Sequence, residues 1–203
     1  SALLQSLASN TGNKIIYIDP GVYDIFKEYR DLNMPSPPDD VGPADYLTRV
    51  ISVPANTKIV GIGNVTLRWD PDATVSENPS VSPITYGEAR VWSPLNVFRA
   101  AEIENIEIIC YKGRYCIHDD SHNNSADIGV SHIYRNVRCY YKAVSDGYGF
   151  NNVIGFGFSS KNKYLFENCV FEKPIFLNVD SPSMSNYAYC YTFLENLKTV
   201  NGK

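Results

Sequence analysis

Ile103-Glu104-Asn105-Ile106-Glu107-Ile108 is the stretch on which the reading of this chain turns. It recurs as Tyr134-Arg135-Asn136-Val137-Arg138-Cys139, as Phe166-Glu167-Asn168-Cys169-Val170-Phe171 and as Leu194-Glu195-Asn196-Leu197-Lys198-Thr199. A weaker first copy is Ile62-Gly63-Asn64-Val65-Thr66-Leu67. The shared pattern is apolar, usually charged, Asn, apolar, any, apolar. From Asn105 the asparagines advance by 31, 32 and 28 residues. Self-similarity at a near-fixed period of this length implies stacked units, each one turn of a solenoid.

The residues after each Asn alternate. Ile106 and Ile108 oppose Glu107, and Val137 and Cys139 oppose Arg138. Period two is the repeat of a strand with one buried face, and the residue types suit a pleated surface. Asn tolerates the left-handed backbone region, so it fits a sharp bend at the entry to a strand. Parallel stacking would set the asparagines about 4.8 Å apart, close enough for an amide ladder. Glu104, Arg135 and Glu167 then become neighbours on the outside, as do Glu107 and Arg138. Such opposite-charge pairs contribute about 0.2–1 kcal/mol each.

Composition narrows the possibilities. The chain has 203 residues, enough for one core without division into domains. It is read as one domain over 1–203 and as a piece of a longer protein. It has no apolar run long enough to span a membrane. A net charge of -4 argues against a nucleic-acid partner, which calls for a basic face. The five cysteines (110, 116, 139, 169 and 190) contain no CxxC pair, so a zinc or redox motif is absent. They read as free thiols, with Cys139 and Cys169 on apolar positions of the repeat. No cofactor and no metal is implied. Fifteen tyrosines suit both strands and binding surfaces.

Residues 2–10 read as a short helix capping the open end of the stack, with Leu3, Leu4 and Leu7 on one face. Strands follow at Lys14–Asp19 and, after a Pro-Gly turn, at Val22–Ile25. Residues 51–67 form two or three short strands cut by Pro54-Ala55-Asn56 and by glycines. Helix, then IIYIDPGVYDI (15–25), then ISVPANTKIVGIGNVTL (51–67) resembles the N-terminal part of pectate-lyase-like right-handed β-helix proteins. The resemblance spans most of residues 1–200 and rests on turn and core residues. It implies an all-β, right-handed parallel β-helix with a capping helix. It also implies polysaccharide or cell-surface glycan as the partner, in an extracellular or virion-associated protein such as a phage tail depolymerase or a secreted enzyme. It allows for a homotrimer.

Insertions at about 27–49 and 70–95, rich in proline, read as loops on the binding face or as solvated ornament. A second strand per turn aligns Ile117–Ser121 with Phe156–Ser160 and Phe176–Asp180. The densest polar cluster is His118, Asp119, Asp120, Ser121, His122, Asn123 and Asn124. Its acids and imidazoles could serve general acid–base chemistry, hold a divalent cation through oxygen ligands, or form a polar turn. Adjacent Asp119 and Asp120 resemble the paired acids of the polygalacturonase branch, although that branch's Asn-Thr-Asp and Gly-His-Gly are absent. The candidate catalytic set is Asp119, Asp120, His118 and, from a neighbouring turn, Asp180 or Asp146. Trp69, Trp92 and Tyr148, with Tyr140 and Tyr141, are candidates for stacking on sugar rings; packing within the core is the competing reading. Polysaccharide recognition, with or without hydrolase or lyase activity, stands beside a non-catalytic structural or adhesive module.

Overall fold

The computed structural model describes residues 14–33, 52–97, 99–119, 129–142, 153–156 and 162–172. Asparagine sets its strand geometry. Asn105, Asn136 and Asn168 have φ of 56°, 53° and 53°, the left-handed region that Asn reaches at least cost among residues with a side chain. Each bend divides a length of strand into a leading and a trailing part. In β7 (Ala101–Tyr111) and β9 (Ser131–Lys142) the strand runs through the bend. At Asn168 it separates β11 (Lys163–Glu167) from β12 (Val170–Glu172).

The earlier rungs use longer turns. The segments β1 (Lys14–Ile18) and β2 (Gly21–Asp24) flank Asp19-Pro20, and β4 (Thr57–Gly61) and β5 (Val65–Trp69) flank Ile62-Gly63-Asn64. Gly63, not Asn64, takes the positive φ of 78° there. This is why the first copy of the repeat reads weakly. All eight strands join one parallel sheet. Its register sets Glu104 beside Arg135 and Ile106 beside Val137, then Arg135 beside Glu167 and Arg138 beside Val170. The bends therefore lie one above another. Asn136 Nδ2 donates to Asn105 Oδ1 at 2.9 Å, one rung of the expected amide ladder. Asn196 lies outside the described residues.

A second parallel sheet has four strands: β3 (Ser52–Val53), β6 (Leu95–Val97), β8 (Ile117–Asp119) and β10 (Ile154–Phe156). Asp119 pairs with Phe156, so the register is two residues away from the alignment that matched Ile117 with Phe156. The apolar rows of the large sheet face inward. One is Ile16, Ile59, Ile103, Tyr134 and Phe166; another is Val65, Ile106, Val137 and Cys169. Each fully buried aliphatic side chain contributes about 1.5–3 kcal/mol. Tyr134 stacks on Phe166 at 4.8 Å, so the row continues as an aromatic pair.

The all-β, right-handed β-helix expectation is corrected here. The described chain is mixed α/β, a parallel sheet of eight strands with a smaller one and a few short helices, and its sheets do not close into a solenoid. The expected capping helix at 2–10 lies outside the described residues. The helices are α1 (Ile25–Asp31), α2 (Pro71–Glu77) and α3 (Tyr86–Val91). All three fall wholly or largely in stretches read as loops. Each begins on a capping side chain: Asp24 for α1, Asp70 followed by Pro71 for α2, and Thr85 in a capping box with Glu88 for α3. Buried Glu88 accepts from Tyr29 Oη at 2.6 Å and from Arg30, which ties α3 to α1.

Candidate functional site

Strand alternation puts every second residue of the large sheet on its outer face, and the two halves of that face differ. On the leading half, one outward row reads Ile15, Lys58, Glu102, Ile133, Leu165. The next reads Tyr17, Val60, Glu104, Arg135, Glu167. Lys58 pairs with Glu102 at 3.0 Å and Glu104 at 2.9 Å. Arg135 reaches Glu104 at 2.7 Å, Glu167 at 2.8 Å and also Glu102. Burial raises the Glu104 pKa, but hydrogen bonds from Lys58 and Arg135 outweigh it and bring it down to about 2. Lys58, Arg135 and the three glutamates of these rows are thus tied to one another.

The trailing half is arranged differently. Its outward rows are Val22, Thr66, Glu107, Arg138, Val170; then Asp24, Arg68, Ile109, Tyr140, with Glu172 of β12 next in register; then Tyr111 and Lys142. Arg68 is held by Asp24 at 2.9 Å and Glu77 at 2.7 Å, and Lys112 by Asp72 at 3.0 Å. Glu107 accepts from Thr66 Oγ1 at 3.1 Å, turning away from its register neighbour Arg138. The expected Glu107–Arg138 pair is therefore not made. Arg138 and Lys142 are exposed and form no ion pair among the described residues. Lys142 Nζ lies 4.3 Å from the Tyr111 ring centre. Tyr140 stands between the two cations on the same face, half-buried, with no ring or side-chain hydrogen-bond partner among the described residues. Arg138, Tyr140 and Lys142 thus form a stripe about 13 Å long at strand spacing.

The sequence-predicted catalytic cluster is placed inside. Asp119 is fully buried and His118 nearly so. They point to opposite faces of β8, as period two requires. His118 stacks on Tyr115. Asp119 Oδ2 accepts from Tyr134 Oη at 2.7 Å, and His132 Nδ1 lies 3.0 Å from the same oxygen, not aligned for a hydrogen bond. Burial, then the Asp119 charge, pushes the Tyr134 phenol well above its ordinary pKa, so it stays a hydrogen-bond donor. His132 stacks on Tyr164 at 4.9 Å in the next rung. This set has acid–base chemistry, but Asp119 and His132 expose no surface to a polymer. Its effect is to fix which strand faces which, since a buried carboxylate tolerates few alternative partners. Asp120, Asp146, Asp180 and Tyr148 lie outside the described residues.

The tryptophan expectation is also corrected. Trp69 and Trp92 are buried, packing against Phe26 at 5.2 Å and Tyr29 at 4.7 Å respectively. Neither offers a ring face to solvent. Tyr141 is buried too, with its hydroxyl on the Gly113 carbonyl at 2.7 Å. Of the tyrosines named from sequence, Tyr140 is the described one that faces outward. The four described cysteines are free thiols, and Cys169 is only half-buried. Burial pushes the Cys116 thiol well up, with Cys110 and Cys139 adding to the shift, so it is a poor nucleophile. Among the described residues no group of His, Cys, Asp and Glu is arranged to hold a metal ion, and no helix is long and apolar enough to cross a membrane.

No family model matches the chain, and no curated protein or solved structure matches it either.

Proposed function

We propose that the protein recognises a polysaccharide on the outward trailing half of its large sheet, acting as a binding module. The observation that carries this reading is Tyr140, an outward ring without a ring or side-chain partner among the described residues, flanked on its own strand by exposed polar side chains and beside Ile109 and Tyr111. A half-exposed aromatic face with hydrogen-bonding groups at its edges fits the apolar face and hydroxyl rim of a sugar ring. Parallel rungs repeat this surface along the stack, which suits an extended chain of repeating units. On this reading the protein works outside the cell or on a virion, where such chains are met. Asp119 is withdrawn from solvent, which argues against a hydrolase built on it.

The test is a glycan array followed by calorimetry on Tyr140→Ala. The expected result is binding to at least one polysaccharide that falls about tenfold or more in the variant, with unchanged circular dichroism. A glycan bound equally well by Tyr140→Ala would overturn the placement of the site. Release of oligosaccharides by the wild type, abolished in Asp120→Asn, would overturn the non-catalytic reading.

A further inference from the structure

We infer that the open edge of β1 is a self-association surface, on which a second copy of this chain pairs its own β1 antiparallel to form a two-fold dimer. The inference goes beyond the polysaccharide reading and does not depend on it. β1 pairs with β4 on one side and has no strand on the other among the described residues. The Ile18 carbonyl accepts from the Ile62 N–H at 2.8 Å, on the β4 side. Alternation along the strand therefore turns the main-chain groups of Ile15 and Tyr17 to the open edge. Such an edge is a ready template for pairing, and sequences that keep it single place a proline, a bulge or a mid-strand charge there. Residues 15–18 carry none of these. On the outer face Ile15 is 56% and Tyr17 63% exposed. Val22 and Ile62, exposed as well, extend the apolar surface past the turn at Asp19-Pro20.

The occupant is legible in the strand itself. Lys14-Ile15-Ile16-Tyr17-Ile18-Asp19 is basic at one end, acidic at the other and apolar between. Turned end for end, it is its own complement. Pairing centred on Ile16 keeps all five residues of β1 in the ladder and sets Ile15 opposite Tyr17 of the second copy, twice. Those are the residues whose main-chain groups face the edge, so each pair exchanges its N–H···O bonds. On the outer face the same pairing lays Ile15 against the Tyr17 ring, a favourable cross-strand combination. Lys14 and Asp19 are exposed and form no ion pair among the described residues. In the dimer each Lys14 stands one residue from Asp19 of the second copy. A parallel pairing would instead bring like charges together at both ends, which is destabilising. The two-fold axis is normal to the sheet, so both outer faces lie on one side of the dimer.

The experiment is sedimentation velocity on the full chain from about 1 µM to about 100 µM, the range in which a small interface dissociates. The expected result is a monomer–dimer equilibrium. Ile15→Lys, and Tyr17→Pro, which removes an edge-facing N–H and no bond to β4, should each raise the dissociation constant about tenfold or more. Lys14→Glu and Asp19→Lys should each weaken the dimer, and the two combined should recover most of the loss. Leu165→Lys, at an exposed apolar position of β11 on the same outer face, should change nothing. Circular dichroism separates loss of pairing from loss of fold, and Ile15→Lys, an outward surface change, keeps the test open where Tyr17→Pro does not fold. A monomer at every concentration, as when another segment of this chain takes the edge, would overturn the inference. A trimer would overturn it, and so would a dimer indifferent to Ile15→Lys. Charge reversals that weaken the dimer singly without recovery in the double variant would overturn the antiparallel pairing. Glycan binding is tested separately by Tyr140→Ala, so either proposal can fail alone.

Discussion

The leading and trailing halves of the large sheet come from the same strands, a few residues apart, yet they use charge in opposite ways. On the leading half Lys58 and Arg135 bridge Glu102, Glu104 and Glu167, so the rungs are tied together. On the trailing half Arg138 and Lys142 form no ion pair among the described residues, on either side of the outward Tyr140. A ladder of ion pairs holds strands in register, which Arg138 and Lys142 do not do through the described residues. The difference separates a half whose outer charges bind rung to rung from one whose outer charges are only partly so engaged. It also yields predictions that can break the distinction.

The largest effect should come at the joint between the halves. A Cβ at Gly61 would sit 2.2 Å from the Asn105 backbone carbonyl oxygen. Backbone cannot yield there without shifting a bend, so Gly61→Ala should cost about 3 kcal/mol or more in urea unfolding. A loss under 1 kcal/mol would mean that the halves are not locked at this turn. Asn136→Ala comes next, at about 1–2 kcal/mol, because Ala loses the left-handed conformation and the bond to Asn105. Asn136→Gly should recover most of this loss, and failure to do so would shift the explanation from the backbone to the amide ladder.

Within the leading half, Arg135→Ala should lower the melting temperature at neutral pH, since it removes the cation shared by Glu102, Glu104 and Glu167 and leaves Lys58 alone to face the first two. Acid should reveal the same network. The folded pKa of Glu104 is about 2 against an ordinary 4.5, so its contribution is complete above pH 4.5 and is lost as pH falls toward 2. Thermal melts across that range should fall less steeply in Glu104→Gln than in the wild type. Matching slopes would take Glu104 out of the account. The smallest effect on stability belongs to the trailing half: Arg138→Ala should stay within about 0.5 kcal/mol of the wild type. A larger loss would make Arg138 part of the scaffold and dissolve the contrast.

The sequence by itself determined the strands of the repeat, because period two and a left-handed Asn are local properties. It located the bends at Asn105, Asn136 and Asn168 and the Arg135 pairs with Glu104 and Glu167. Helix starts were also legible, in Asp70-Pro71 and in Thr85 followed by Glu88, although proline-rich stretches drew the reading toward loops. Only the tertiary structure decided what those elements enclose. A tryptophan beside an insertion reads alike whether it faces solvent or core; α1, packing its Phe26 and Tyr29 on Trp69 and Trp92, put both inside. Asp119 was conspicuous in sequence, but its burial depends on Tyr134 and His132 arriving from another strand. Arg138 looked like half of an ion pair with Glu107 until Thr66, on the opposite neighbour, took that carboxylate. Burial and partner choice depend on contacts between residues far apart in the chain, and local pattern carries no record of which neighbour wins.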